Sequence, residues 1–389
     1  MYRAGWTSRS WQDNQRRNWD DTAARPLQCE IWYPTLASGE QRIPFGDPVA
    51  PCFDAGMAVR DAAPIAGALP CVLLSHGTGG SALQMAWLGT ALARAGYLAI
   101  ALNHHGHCAT EPYHAAGFAI WWARATDLSC VLDLAMAEFT IDSARIDAAG
   151  FSIGGYTALA MLGARLNLQA FDDFCASPFS RQLAIPELPN FFDNYVQMKR
   201  DARYQAYFAT AGKSCADPRI RSAIVLAPAM IPFLQPASLR AIEKPVQIFC
   251  GQHDGQTPPL INATLLFSQL PHSTFTRVPG AGHYVWLAEA TAHGRATLPV
   301  FACDPQGVER GQVHRAVLVQ ISTALQWLDA GQGLPACPVP TTLAAAPAGL
   351  WASLRWRLIL GLCRIGLLGR LLRTALAVAA RLNGVFKRH

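Results

Sequence analysis

Residues 147–159 read DAAGFSIGGYTAL, and Gly150-Phe151-Ser152-Ile153-Gly154 within them fit the pattern G-x-S-x-G. The setting gives that pattern meaning. The residues before it, RIDAAGFS (145–152), are a short apolar run of strand type, and those after it, 153–166, carry apolar residues at helical spacing. A serine at so sharp a strand-to-helix turn is forced into strained backbone angles, and small neighbours let the adjacent elements pass. The turn presents the hydroxyl at a helix N-terminus, where the dipole favours a developing negative charge. Ser152 is therefore the candidate nucleophile.

Outward from this turn, short apolar runs alternate with helical patterns. LPCVLLSH (69–76), YLAIALN (97–103), IRSAIVLAP (220–228) and PVQIFCG (245–251) read as buried strands, and STFTRVPG (273–280) as a shorter one nearer the edge. Between them, 81–95, 123–139, 153–166, 257–270 and 308–330 read as helices. LQCEIWYP (27–34) reads as an early antiparallel strand. The alternation predicts an α/β fold with a mostly parallel central sheet and helices on both faces. Residues 167–218 interrupt the rhythm with many large aromatics, among them Phe171, Phe191, Tyr195, Tyr204 and Phe208. A structureless loop of that length is rare in a compact domain, so a helical cap insertion is expected there. The resulting organisation is an N-terminal extension (1–26), a catalytic domain (27–334), a Pro-containing linker (335–349) and a basic tail (350–389).

A serine hydroxyl needs a base, and the base needs an orienting carboxylate. Both occur downstream at strand ends. Asp254 lies in GQHDGQTPP after the strand 245–251, and His283 lies in VPGAGHYVW after the strand 273–280. Asp172 and Asp173, in the insertion, are reserve candidates for the acid. A tetrahedral oxyanion also needs two backbone donors. Ile153 N–H is the first, and Thr78 N–H, in the glycine-rich turn His76-Gly77-Thr78-Gly79-Gly80, is the second. His76 and Gly77 in that turn are placed at the substrate, as are His104 and His107 of NHHGHC (103–108), a loop that follows a central strand. The same histidines suggest metal only weakly, because no cysteine pair at zinc spacing accompanies them. Asp127 and Asp133 fall within a helix and read as ion-pairing residues.

LSHGTGG, GFSIGGYTAL, GQHDGQTPP and GAGHYVWL, in this order, resemble the α/β-hydrolase superfamily. Within it they resemble the predicted dienelactone hydrolases, which are similar to platelet-activating-factor acetylhydrolases. The resemblance spans roughly residues 27–330. It implies Ser152, Asp254 and His283 as a triad, Thr78 and Ile153 as oxyanion donors, a small-molecule ester as substrate, and no metal or cofactor. Two departures stand out. True dienelactone hydrolases carry a cysteine where this chain has Ser152. In the acetylhydrolases the acid follows the strand before the one that carries Asp254, and here that strand ends in VLAPAM (225–230) without an acid. These residues leave open an amidase or peptidase on the same triad, and a catalytically silent ligand-binding homologue.

Composition sets the remaining limits. The chain has 389 residues, 51% hydrophobic and 15% charged, enough for a large α/β core. Its net charge of +6 is concentrated beyond Leu343, where eight Lys and Arg meet no acidic residue; the rest carries 24 basic against 26 acidic residues. The body is near neutral, which argues against a nucleic-acid surface. The first residues, MYRAGWTSRSWQDNQRRNWDD, hold no apolar leader segment. Eleven scattered cysteines without C-x-x-C spacing fit a reducing, cytoplasmic setting. In the tail, Leu354, Leu358, Leu362, Ile365, Leu372 and Leu376 share one helical arc, while arginines interrupt it too often for a membrane span. Peripheral contact with an anionic membrane through 350–389, or packing on protein, is expected.

Overall fold

The computed structural model describes residues 2–177, 180, 185, 187–334 and 341–342. In chain order the strands are β1 (Arg3–Arg17), β2 (Ala24–Thr35), β3 (Gln41–Arg42), β4 (Phe53–Asp54), β5 (Met57–Arg60), β6 (Leu69–Ser75) and β7 (Leu98–Asn103). There follow β8 (Ile141–Phe151), β9 (Ile220–Leu226), β10 (Val246–Gly251), β11 (Ser273–Val278), β12 (Glu289–Ala290) and β13 (Thr341–Thr342). The helices are α1 (Ala86–Arg94), α2 (Ala115–Ala119), α3 (Ala123–Glu138), α4 (Ile153–Met161), α5 (Leu168–Ala176) and α6 (Phe191–Met198). After them come α7 (Ala202–Thr210), α8 (Pro236–Arg240), α9 (Ala263–Phe267), α10 (Ala292–Thr297), α11 (Pro299–Ala302) and α12 (Arg310–Asp329).

One sheet runs in the order β13-β11-β10-β9-β8-β6-β7-β2-β1-β5-β3. From β13 to β7 every neighbouring pair is parallel, and β2 joins β7 antiparallel. Every residue of β6 and β7 is buried, which requires helices on both faces. Val72, Leu74, Ala99, Ala101 and Ala149 share a core with α1 and α12 on one face. The intervening Cys71, Leu73, Leu98, Ile100 and Ala148 are buried on the other, where α3 and α4 pack. The chain leaves β6 toward β7 on one side and β8 toward β9 on the other. The loops that follow β6 and β8 therefore diverge, and a crevice opens between them at the carboxyl ends of the strands.

Four expectations change. Residues 3–17, read as part of an extension, form β1 and pair along the length of β2. The helix expected over 153–166 ends at Met161, because Gly163, at φ +111°, stops it. Of the helix expected over 257–270 only Ala263–Phe267 forms, with Pro258 and Pro259 ahead of it. Within the expected linker, Thr341 and Thr342 form β13 beside β11. The rest of that linker and the tail 350–389 lie outside the described residues.

The chain divides into two compact units, and the first comprises 1–167 and 185–343. Of the second, the described part is α5 and the turn after it, where Ser180 Oγ donates to the carbonyls of Cys175 (2.9 Å) and Ser177 (2.7 Å). Within the insertion 167–218, α6 and α7 belong to the first unit. Their aromatics are spent on packing there. Trp122 Nε1 donates to the Tyr207 carbonyl at 3.0 Å, Phe208 meets the Trp122 ring edge-on at 5.5 Å, and Tyr207 lies 5.1 Å from Trp19. Among the described residues, no helix is long and apolar enough to cross a membrane.

Candidate active site

Ser152 sits between β8 and α4 with φ +56° and ψ −119°, the strained conformation expected of a serine at this turn. Close packing explains both glycines of the motif. A Cβ on Gly150 would come within 2.0 Å of the Gly154 carbonyl oxygen, and one on Gly154 within 2.0 Å of the Ser75 carbonyl oxygen. Backbone hydrogen bonds from Ser152 N to Leu226 O (2.9 Å) and from Ala229 N to Ser152 O (3.0 Å) tie the turn to the end of β9.

His283 begins a short 3-10 turn after β11, and its Nε2 lies 3.1 Å from Ser152 Oγ. Its Nδ1 lies 2.8 Å from Asp254 Oδ2. Asp254 follows β10, and its Oδ1 accepts from Gln256 N (3.0 Å) and Thr257 N (2.7 Å) while Thr257 Oγ1 reaches Oδ2 at 2.8 Å. The acid is thereby held against His283 Nδ1, a contact that favours the Nδ1–H tautomer and leaves Nε2 free to accept. All three side chains are buried, so their hydrogen bonds face little competition from bulk water. The reserve acids Asp172 and Asp173 lie on α5 in the second unit, and Asp173 accepts a hydrogen bond from Gln169 at 2.9 Å.

Gly77 packs close to Ser152: a Cβ there would approach Phe151 at 2.9 Å and Ser152 Cβ at 3.4 Å. Thr78, next along, is exposed, and among the described residues no acceptor claims its N–H. Ile153 opens α4, so its N–H has no acceptor inside the helix. Both N–H groups are thus left without a backbone acceptor among the described residues. Tyr113 Oη donates to the Gly79 carbonyl at 2.9 Å, and Glu187 lies close to Gly79.

The three histidines expected at the substrate are buried. His76, His104 and His107 are 1%, 1% and 2% exposed, enclosed beneath the glycine-rich turn rather than at its mouth. His76 Nδ1 engages the Gly77 carbonyl at 2.7 Å, its Nε2 accepts from His104 N at 3.1 Å, and His104 Nε2 meets Ser75 Oγ at 2.8 Å. Burial, with the nearby Arg124 charge, drives His76 down to about 3 and His104 and His107 well below the ordinary histidine value. Burial thus favours the neutral form of all three rings. Among the described residues no group of three His, Cys, Asp or Glu is placed to hold a metal ion. Asp127 and Asp133 do pair with cations, Asp127 with Arg25 and Arg16 and Asp133 with Arg219.

Two site residues escaped the sequence. Thr257 supports Asp254 from three positions on, a spacing any capping turn shares. Arg124, within α3, contacts the turn after β6 from 48 residues away, and no local pattern announces that.

A family model described as serine aminopeptidase, S33, matches residues 68–189, a segment running from β6 through the elbow. No curated protein matches the chain. Among solved structures, a ferulic acid esterase from Streptomyces cinnamoneus is similar at 20% identity and a TM-score of 0.60, covering 88% of this chain and 94% of that one. With the sheet order and the elbow at its switch point, these likenesses establish that this chain has the α/β-hydrolase fold.

Proposed function

We propose that the chain is a serine hydrolase that cleaves carboxylic esters through an acyl-enzyme. The observation that carries this is the buried relay of Ser152 Oγ, His283 and Asp254, with contacts of 3.1 and 2.8 Å. In this reading His283 Nε2 takes the Ser152 proton as Oγ attacks the ester carbonyl. The N–H groups of Thr78 and Ile153 receive the oxyanion, and Asp254 stabilises the imidazolium. The proton then passes to the leaving alcohol, and a water activated by the same imidazole releases the acid. The solved structure of a ferulic acid esterase with the same fold supports the ester class.

A second reading has one observation in its favour, the matched family description of serine aminopeptidase. On the same relay an amide or peptide would be the substrate. Fluorophosphonate labelling of Ser152 tests the nucleophile for both readings. Turnover of matched p-nitrophenyl esters and p-nitroanilides then separates them: ester-only turnover supports the first, and anilide turnover at a comparable kcat/KM supports the second. A wild-type chain that is neither labelled nor active on either series overturns both.

We further propose that the acyl group is apolar or lipid-like, since the exposed Tyr113 and half-buried Tyr284 stand beside Gly79 and His283. A closer kinship to dienelactone-hydrolase-like and acetylhydrolase-like esterases belongs to the same proposal, as do a cytoplasmic location and peripheral membrane contact through 350–389. The support for that contact is the sequence of the tail, with its leucine arc and eight basic residues.

A further inference from the structure

Beneath the turn 76–80 lies a buried cation that the relay does not use. Arg124 in α3 is 2% exposed. Its Nη2 donates to the His76 carbonyl and, at 3.2 Å, to Ser75 Oγ, while Nη1 meets His107 Nδ1 at 3.3 Å. Among the described residues no carboxylate hydrogen-bonds to it. Asp127, three residues along the same helix, is held by Arg25 at 2.7 and 2.8 Å and by Arg16 at 2.7 Å. Burial pushes the Arg124 guanidinium down to about 9, so it stays charged at neutral pH while the histidines around it are neutral. The Asp127 charge favours the cation through space, but keeping a buried charge without a hydrogen-bonded carboxylate is still costly, so its position needs a reason.

The position is specific. The His76 carbonyl that Arg124 holds lies against the elbow, since a Cβ on Gly154 would come within 2.8 Å of it. The next residue, Gly77, touches Ser152, and the one after it offers the Thr78 N–H. We propose that Arg124 is a positioning residue for the oxyanion-binding turn, one that fixes His76-Gly77-Thr78 against Ser152 and lends the tetrahedral state its positive charge. This rests on the serine-hydrolase reading above. The negative charge it would favour exists only in the transition state, so the inference predicts a loss in kcat without a loss in substrate binding.

The test compares Arg124→Met and Arg124→Lys with wild type on an activated butyrate ester, with melting curves for each. Affinity is read for a trifluoromethyl ketone, which forms an oxyanion adduct with a nucleophilic serine, and for the matching methyl ketone, a ground-state mimic. We expect Arg124→Met to lower kcat by roughly 10–100-fold, with KM within about twofold of wild type. Trifluoromethyl ketone affinity should fall in step with kcat, methyl ketone affinity should hold, and Arg124→Lys should recover much of the loss. Variants with wild-type kcat, or with both ketones weakened equally, overturn the inference. If Arg124→Met does not fold, Arg124→Lys alone decides: its trifluoromethyl ketone affinity must fall more than its methyl ketone affinity. A wild-type chain without fluorophosphonate labelling or ester turnover removes the hydrolase reading itself, and this inference with it. Labelled wild type beside indifferent variants removes only the role of Arg124.

Discussion

Ser152 Oγ and His283 Nε2 lie 3.1 Å apart although 131 residues separate them in the chain. The contact exists because β8 and β11 end on the same edge of a parallel sheet, so the loops after them share one crevice. A nucleophile and a base carried on separate strands can be fixed to hydrogen-bond tolerance only by the sheet between them.

That relay sets the first prediction. Ser152→Ala should abolish fluorophosphonate labelling and lower ester turnover by several orders of magnitude, and His283→Ala should do nearly the same, because the three groups act as a unit. Asp254→Asn should keep the fold and lose roughly 10³–10⁴ in kcat through the wrong imidazole tautomer. Full activity in Asp254→Asn together with an inactive Asp172→Asn or Asp173→Asn would reassign the acid to α5.

The elbow sets the second. Gly154→Ala places a Cβ 2.0 Å from the Ser75 carbonyl oxygen, so backbone must move. The variant should lose ~1–3 kcal/mol or more in urea unfolding, and its fluorophosphonate labelling should slow along with it. Wild-type stability and labelling in this variant would mean that the turn is looser than its packing indicates.

The third concerns acid. Burial alone would push the Asp127 carboxyl up, but the charges and hydrogen bonds of Arg25 and Arg16 more than reverse this and hold it below the usual carboxylate range. A depressed folded value means that this stabilisation is present above the unfolded carboxylate value and is lost as pH falls through the folded one. Asp127→Asn should therefore destabilise the protein by about 3–5 kcal/mol at neutral pH, since it strands Arg25 in the core. Its stability should also vary less with pH below the carboxylate range than that of wild type. Parallel pH profiles for the two proteins would assign the acid sensitivity to other groups.

The fourth concerns the acyl group. If the chain takes apolar acyl groups, kcat/KM should rise from acetyl to longer p-nitrophenyl esters by up to ~0.8 kcal/mol per buried CH₂ until the pocket is full. Tyr207 and Phe208 of α7 already pack on Trp19 and Trp122, so these two side chains are not expected to supply the rise. A flat series from acetyl to octanoyl would end the apolar-acyl proposal.

The fifth concerns the tail. Full-length chain should co-sediment with anionic vesicles at low salt, and a chain ending at Thr342 should stay in the supernatant. Equal recovery of both in the supernatant would remove the membrane proposal.

The sequence by itself determined the central strands and the turn after β8, and it singled out three residues that the structure brings within hydrogen-bond distance of one another. Buried parallel strands are continuous apolar runs bounded by glycine or proline, and G-x-S-x-G is a backbone constraint written in residue types. Each partner also followed its own strand closely enough to be read locally. What only the tertiary structure decided had no local signature. β1 is half exposed, with Ser, Gln and Arg among its residues, and it becomes a strand only because β2 offers it an edge. His104 and His107 look accessible in a polar loop, and they are buried against His76, against Phe118 of α2 and beside Arg124 of α3. Phe208 and Tyr207 belong to a stretch that the sequence marks only as rich in aromatics, and what they pack on, Trp122 and Trp19, lies far from them in the chain. In each case the deciding partner lies far along the chain, and long-range packing selects among conformations that the local sequence leaves equally open.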